Sequence, residues 1–99
     1  MDVSIISPVF NEKDNLEPFV KQVSDSLNKE AWNWELILVD DGSDDGSFDL
    51  LQKLSKSQKN LRLISLSKNF GQTSAIQAGF DNASGKYLVT LDSLSLIHI

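Results

Sequence analysis

Four short apolar runs, separated by segments of helical periodicity, constrain the fold of this chain of 99 residues more than any other feature. The runs are rich in β-branched and aliphatic residues and cover positions 3–9, 34–40, 61–66 and 86–92. Their apolar residues are nearly continuous rather than alternating, which is typical of strands buried on both faces of a parallel sheet. The sequence therefore predicts four parallel strands.

Helical patterns fill the segments between these runs. The first has one apolar face, formed by Leu16, Phe19, Val20, Val23 and Leu27. The third, near residues 73–82, places the small residues Ala75, Gly79 and Ala83 where a helix can lie close to a sheet. The resulting order, β-α-β-α-β-α-β, indicates an α/β fold with a parallel sheet and right-handed crossovers.

Composition and charge exclude several classes of protein. Fourteen acidic and nine basic side chains give a net charge of −5, which opposes the phosphate backbone that a nucleic-acid-binding protein must neutralise. The chain has no cysteine, so oxygen ligands or the single histidine, His98, must hold any metal ion. No apolar run approaches the roughly 18 residues that would span a bilayer. We therefore expect a soluble, cytoplasmic chain without a nucleic-acid partner.

Polar residues follow each predicted strand, at the edge where open parallel sheets bind their ligands. The strand ends read Pro8-Val9-Phe10-Asn11-Glu12, Asp40-Asp41-Gly42-Ser43, Ser67-Lys68-Asn69-Phe70-Gly71-Gln72 and Asp92. Asp40 and Asp41 could form a turn or a helix cap, since acidic residues before Gly and Ser often do. Adjacent carboxylates after an apolar strand, however, repel each other unless a cation or a donor-rich ligand lies between them. The pair therefore predicts a binding site.

Two other classes of protein have features in common with these residues. A phosphoacceptor (receiver-like) signalling domain also combines an acidic pair with a later aspartate, as Asp40, Asp41 and Asp92 do, although here the pair follows the second strand rather than the first. It stays open as the alternative. A dinucleotide-binding fold needs Gly-x-Gly-x-x-Gly after its first strand, and the residues there do not fit this pattern.

Four motifs resemble, in this order and spacing, the family-2 glycosyltransferases with the GT-A fold. They are Ile5-Ile6-Ser7-Pro8-Val9-Phe10-Asn11-Glu12, Leu38-Val39-Asp40-Asp41-Gly42-Ser43, Asn69-Phe70-Gly71-Gln72 and Tyr87-Leu88-Val89-Thr90-Leu91-Asp92. The branch they resemble is that of the polyprenyl-phosphate glycosyltransferases related to dolichol-phosphate mannose synthase. The resemblance implies a three-layer, Rossmann-like nucleotide-sugar-binding half of a GT-A domain, truncated in this chain.

The resemblance also implies an activity and the residues that serve it. The enzyme would be an inverting hexosyltransferase that uses a nucleoside diphosphate sugar. Pro8, Phe10, Asn11 and Glu12 would line the nucleoside pocket. Asp41 would bind the base, Asp40 would support the same wall, and Asp92 would help to hold Mg or Mn against the diphosphate.

The acceptor implied by the resemblance is a polyprenyl phosphate at the cytoplasmic face of a membrane, with which the full-length parent protein would associate. Transfer to a growing polysaccharide stays open as an alternative. So does the choice between UDP and GDP as the nucleotide.

The sequence departs from the family pattern at its end. The second aspartate of the Asp-x-Asp motif would stand at position 94, which is Leu94 here. We therefore expect residues 1–92 to be the N-terminal part of a family-2 domain and residues 93–99 to be a non-native tail. The catalytic base would then lie outside this chain, and the 99-residue fragment alone would be inactive.

Overall fold

The computed structural model describes residues 2–10, 13–57, 59–66 and 71–90. Strands and helices alternate within these ranges, so the predicted α/β class and element order are confirmed. The elements are β1 (Val3–Val9), α1 (Lys13–Leu27), β2 (Trp34–Asp41), α2 (Ser47–Ser57), β3 (Leu61–Leu66), α3 (Gln72–Asn82) and β4 (Tyr87–Thr90). β2 extends one residue further than predicted, and β4 begins one residue later.

The strands form one parallel sheet in the order β3-β2-β1-β4. β2 and β3 extend the sheet on one side of β1, and β4 lies on the other side. The strand order therefore reverses at β1. In open α/β sheets, ligands bind in the crevice outside the carboxyl ends of the strands at such a reversal.

Helices cover both faces of the sheet and so confirm the three-layer arrangement. α1 and α2 pack on one face, in an apolar cluster that includes Phe19, Leu51, Ile5, Leu36 and Leu38. α3 packs on the other face, where Ala75 contacts a smaller cluster formed by Ile6, Ile37 and Val39. The five residues predicted to form the apolar face of α1 are all buried. Full burial of one such side chain contributes about 1.5–3 kcal/mol.

Gly79 allows α3 to approach the sheet closely, as the small residues of this helix predicted. A Cβ atom added at Gly79 would lie 2.3 Å from Cγ2 of Ile6. Ile6 is fully buried, so its side chain cannot swing into solvent to make room. A larger residue at position 79 must therefore push α3 away from β1.

We expect Gly79→Ala to lower the free energy of unfolding by about 1–2 kcal/mol net, because overpacking a core usually costs about 1–3 kcal/mol. The better helix propensity of alanine, worth about 1 kcal/mol, offsets only part of this cost. Urea unfolding followed by circular dichroism measures the change. Ser74→Ala, at an exposed position of the same helix, is the control. Equal stability of Gly79→Ala and the unsubstituted protein would contradict the predicted clash.

β4 lies at an edge of the sheet and is poorly covered. Tyr87, Leu88 and Val89 are 70%, 46% and 40% exposed. Within the described residues β4 pairs with β1 alone, over four residues. In the part of the protein that the structure describes, its position depends on that short ladder and on the turn that precedes it.

Candidate functional site

The carboxyl ends of β1 and β2 bring two groups of predicted site residues to one edge of the sheet. In the register of these strands Val9 is opposite Asp40, so the residues that end β1 and β2 are neighbours. Pro8 is partly buried, and Phe10, which directly follows β1, is 42% exposed. Asn11, Glu12 and Asp92, which were also predicted to belong to the site, lie outside the described residues.

Asp40 is a buried carboxyl group at the end of β2, 2% exposed. Burial raises the pKa of Asp40, and the negative charges of Asp45 and Asp41 raise it further. Hydrogen bonds from the side chain and backbone of Ser43 lower this pKa but do not cancel the rise. The carboxyl group is therefore held in surroundings that disfavour its charge, a condition found at functional sites more often than elsewhere.

Asp41 connects the end of β2 to the beginning of α3. Its side chain is 3% exposed, and its Oδ2 accepts a hydrogen bond from the backbone N–H of Gly71 at 3.0 Å. Gly71 precedes α3 with φ 98°, a conformation that residues with a Cβ atom rarely adopt. The carboxylate of Asp41 thus lies beside the amino end of α3.

Asp40 and Asp41 do not converge on one point, because both belong to β2 and successive strand residues point to opposite faces. Asp40 lies on the face of Leu38, which packs with α1 and α2, whereas Asp41 lies on the face of Val39, which packs with α3. Donors from the protein reach each carboxylate separately. A cation between the two side chains is therefore not needed to relieve the repulsion between them.

Two buried polar atoms at this edge have no hydrogen-bond partner within the described ranges: Ser7 Oγ and Asp40 Oδ1. Ser7 lies midway between Ile5 and Val9 on β1, so the three residues share one face of the strand. Ile5 and Val9 both pack on the α1 and α2 side of the core. Ser7 and Asp40 therefore lie on the same face of neighbouring strands. Buried polar atoms normally have partners, so this edge retains hydrogen-bonding capacity for a ligand.

The loop after β2 shows which acidic residue has the capping role weighed for Asp40 and Asp41. Asp45 Oδ1 accepts a hydrogen bond from the backbone N–H of Ser47 at 3.0 Å and another from the Ser47 hydroxyl. Ser47 is the first residue of α2. Asp45 therefore serves the amino end of α2.

Ser43 and Gly71 belong to the sequence motifs but were not predicted to be site residues. The structure adds both, as the partners of Asp40 and Asp41 respectively. Gly71 carried a usable signal, since a glycine directly before a helix often supplies a conformation with positive φ. The partner of Asp41 could not be read from the chain because 30 residues separate the two.

Two concave surfaces lie at the opposite end of the sheet, on either side of the half-exposed Trp32. One, of about 450 Å³, is lined by Asn28, Glu30, Trp32, Asn33, Trp34 and Asn60. The other, of about 580 Å³, is lined by Asp2, Val3, Trp32, Lys86, Tyr87 and Val89. Both lie at the amino ends of the strands and contain none of the predicted site residues. Ligands of open α/β sheets bind at the other edge.

Because the pKa of Asp40 is raised, we expect a neutral residue at this position to stabilise the protein by an amount that depends on pH. When folding raises the pKa of an acid, its ionised form destabilises the folded state. For Asp40 this loss of stability grows as pH rises from the ordinary pKa, 3.8, through the folded-state value. We expect Asp40→Asn to raise the free energy of unfolding by about 1 kcal/mol at neutral pH, with little gain near pH 3. Urea unfolding at both pH values measures this. Asp44→Asn, at an exposed position, is the control, and an equal gain at both pH values would contradict the prediction.

Comparison with known proteins gives this edge its context. The model of the family described as "Glycosyl transferase family 2" matches residues 4–93, nearly the whole chain. The chain belongs to glycosyl transferase family 2. This confirms the family that the four sequence motifs predicted, and the matched region contains β2, the strand that carries Asp40 and Asp41.

Relatives of this family-2 chain are known from bacteria. It is 40% identical over 93 residues to the dodecaprenyl-phosphate galacturonate synthase of Rhizobium johnstonii. It is 41% identical over 93 residues to the undecaprenyl-phosphate 4-deoxy-4-formamido-L-arabinose transferase of Pectobacterium atrosepticum. In both comparisons 93% of this chain covers 28% of the relative. The chain therefore spans less than a third of the length of these proteins.

Two solved structures illustrate the shared fold. A mannosyltransferase from Pyrobaculum calidifontis, in complex with GDP-Man and Mn²⁺, superposes with a TM-score of 0.79 at 21% identity, over 92% of this chain and 27% of that one. TarS from S. aureus, in complex with UDP-GlcNAc, gives 0.71 at 25% identity, over 94% and 26%. The GT-A architecture expected from the sequence is confirmed.

The phosphoacceptor alternative gains no support from these comparisons, which all lead to glycosyltransferases. The strand order also differs from that of a flavodoxin-like sheet, which places the third strand beside the first. Here β4 has that place. None of the helices in the described ranges has both the length and the apolar character needed to cross a bilayer.

Proposed function

We propose that the full-length protein is an inverting glycosyltransferase that moves a sugar from a nucleoside diphosphate sugar to polyprenyl phosphate. This chain would supply the part that binds the nucleoside. The observation that carries the proposal is the acidic carboxyl edge of the sheet, where Asp41 is buried and fixed against the amino end of α3.

Each described residue at this edge offers chemistry suited to a nucleoside. Asp41 is a charged acceptor of fixed orientation, suited to an N–H group of a base. Phe10 is partly exposed directly after β1 and presents an aromatic surface. Pro8 completes the wall on the β1 side. Asp40 supports this wall from below, and its unpartnered Oδ1 and the Ser7 hydroxyl leave hydrogen-bonding capacity for a ribose or a bound water.

A divalent cation is part of the proposal, but the described residues do not form its site. They contain no group of three or more His, Cys, Asp or Glu side chains that could hold a metal ion. Asp40 and Asp41 lie on opposite faces of β2 and so do not chelate one ion together. We propose that Asp92, two residues after β4, contributes a carboxylate to Mg or Mn. A cation there would offset the negative charge that grows on the diphosphate leaving group.

The relatives and simple chemistry both support the proposed acceptor. Both relatives named above carry a polyprenyl phosphate in their names, and family membership is shared. A phosphate monoester, with its second pKa near 6, is largely dianionic at neutral pH and attacks the anomeric carbon without losing a proton. A sugar hydroxyl would need a general base. The names of these relatives support polyprenyl phosphate as the acceptor, reached at the cytoplasmic face of a membrane.

A transfer assay tests this proposal with the full-length protein. Radiolabelled UDP-sugars and GDP-sugars are each offered with Mn²⁺, polyprenyl phosphate in detergent and, separately, a polysaccharide acceptor. Label that moves into the organic phase supports transfer to the lipid phosphate. Label that enters only the polysaccharide contradicts the proposed acceptor, and no transfer from any donor by a folded protein contradicts the proposed activity.

A further inference from the structure

A network of hydrogen bonds near the amino ends of the strands has Glu35 at its centre. Glu35 is the second residue of β2 and is 3% exposed. Its Oε2 accepts hydrogen bonds from Ser4 Oγ at 2.5 Å and from the backbone N–H of Ser84 at 2.8 Å. Its Oε1 accepts a hydrogen bond from Arg62 Nη1 at 3.0 Å. Through these bonds one carboxylate joins β1, β2, β3 and the turn before β4.

The turn from α3 to β4 is held at two further points. Ser4 Oγ accepts a hydrogen bond from the backbone N–H of Gly85 at 2.7 Å. Arg62 Nη1 also donates to the carbonyl oxygen of Asn82 at 2.7 Å, and Asn82 is the last residue of α3. A Cβ atom on Gly85 would lie 2.5 Å from the backbone nitrogen of Ser4, so the turn lies directly against β1.

The charge of Glu35 makes it an effective acceptor for all of these donors. Burial disfavours the ionised form, but the hydrogen bonds from Ser4, Ser84 and Arg62, together with the positive charge of Arg62, outweigh it. The pKa of Glu35 is therefore lowered. The carboxylate stays ionised at neutral pH, where hydrogen bonds to a charged acceptor are the strong ones.

From these contacts we propose that Glu35 is a positioning residue that fixes the register of β4 on β1. In the described residues the ladder between these strands is short and runs from Val3 opposite Tyr87 to Ile6 opposite Thr90. The bonds to Ser84 and Gly85 hold the chain three and two residues before Tyr87 and so oppose a slip of this ladder.

The register matters for the function proposed above, on which this step rests. A slip of one residue turns every side chain of a strand to the opposite face. Asp92 follows Thr90 by two residues, so the face on which its carboxylate would be offered depends on the register of β4. Glu35, at the amino edge of the sheet, thus controls the metal ligand proposed for the carboxyl edge.

Amide hydrogen exchange in the full-length protein tests the positioning role without any assay of activity. In Glu35→Gln we expect exchange at Ser84, Gly85 and the β4 amides to be faster by about tenfold or more, beyond any uniform acceleration that a loss of global stability brings to the amides of β2 and β3. Glu17→Gln makes the same chemical change at an exposed position of α1 and should leave all of these rates unchanged. Unchanged protection of β4, or equal acceleration in all strands, would overturn the proposal.

A second variant and a second readout separate this proposal from the proposed function. Ser4→Ala keeps the carboxylate of Glu35 and removes one of its hydrogen-bond donors. If Glu35→Gln does not fold, Ser4→Ala is measured instead, and the same exchange pattern is expected. In either variant we expect the Mn²⁺ concentration needed for half-maximal transfer to rise by about tenfold, while nucleotide affinity without metal changes less than about twofold. A protein that binds no nucleotide would contradict the proposed function, and the exchange measurement would still decide the role of Glu35.

Discussion

Asp41→Ala is expected to weaken the binding of a nucleoside diphosphate by about 10- to 100-fold, the loss that follows removal of one hydrogen bond to a charged acceptor. The effect is large because the carboxylate is already in place before the ligand arrives. It is buried and held by the backbone N–H of Gly71, so little conformational entropy is lost by ordering this side chain when the ligand binds. Isothermal titration of the full-length protein with the nucleotide measures the loss.

Two further variants make this result specific. Asp41→Asn keeps an oxygen that can accept the hydrogen bond from Gly71 but replaces the second acceptor oxygen with an N–H donor, so we expect a loss of affinity similar to that of Asp41→Ala. Asp44→Ala removes a carboxylate from an exposed position in the same loop and should leave the affinity within about twofold. Equal affinities of Asp41→Ala and Asp44→Ala, with both proteins folded, would exclude Asp41 from the nucleotide site.

Glu35→Ala is expected to lower the free energy of unfolding by about 2–4 kcal/mol at neutral pH. The substitution leaves the fully buried Ser4 hydroxyl and the N–H of Ser84 without their acceptor. The expected loss is below that of a fully buried pair because the Arg62 side chain is 44% exposed and water can solvate it. Urea unfolding measures the difference from the unsubstituted protein.

The pH dependence of this difference identifies its cause. Because folding lowers the pKa of Glu35, its stabilisation is present above the ordinary value of 4.5 and is lost as pH falls through the folded-state pKa. The difference between Glu35→Ala and the unsubstituted protein should therefore shrink below about pH 4.5. Glu17→Ala, at an exposed position of α1, is the control. A difference that stays constant down to pH 2 would show that lost packing rather than lost charge destabilises the variant.

The sequence predicted the frame of the fold because its signals are local. Continuous apolar runs gave the strands, and β1 and β3 begin and end at the predicted residues. The apolar face of α1 and the close approach at Gly79 followed from helical spacing and side-chain size. The order of the strands in the sheet depends on long-range pairing and became known from the structure.

The predicted site shows where such reasoning ends. The second strand was expected to end at residue 40, so Asp41 was treated as part of a loop beside Asp40. In the structure β2 includes Asp41, and the pleat turns the two carboxylates to opposite faces. Glu35 gave no functional signal, because an acidic residue within an apolar run does not reveal partners 31, 27 and 49 positions away.

The most direct test of the proposed function is a titration of the full-length protein with UDP and with GDP, each with Mn²⁺, followed by heat release. Saturable binding of one nucleotide, weakened in Asp41→Ala and retained in Asp44→Ala, is the predicted result, and it also identifies the donor nucleotide. Absence of binding to either nucleotide, by a protein shown to be folded, would contradict a nucleoside site at the carboxyl edge of this sheet.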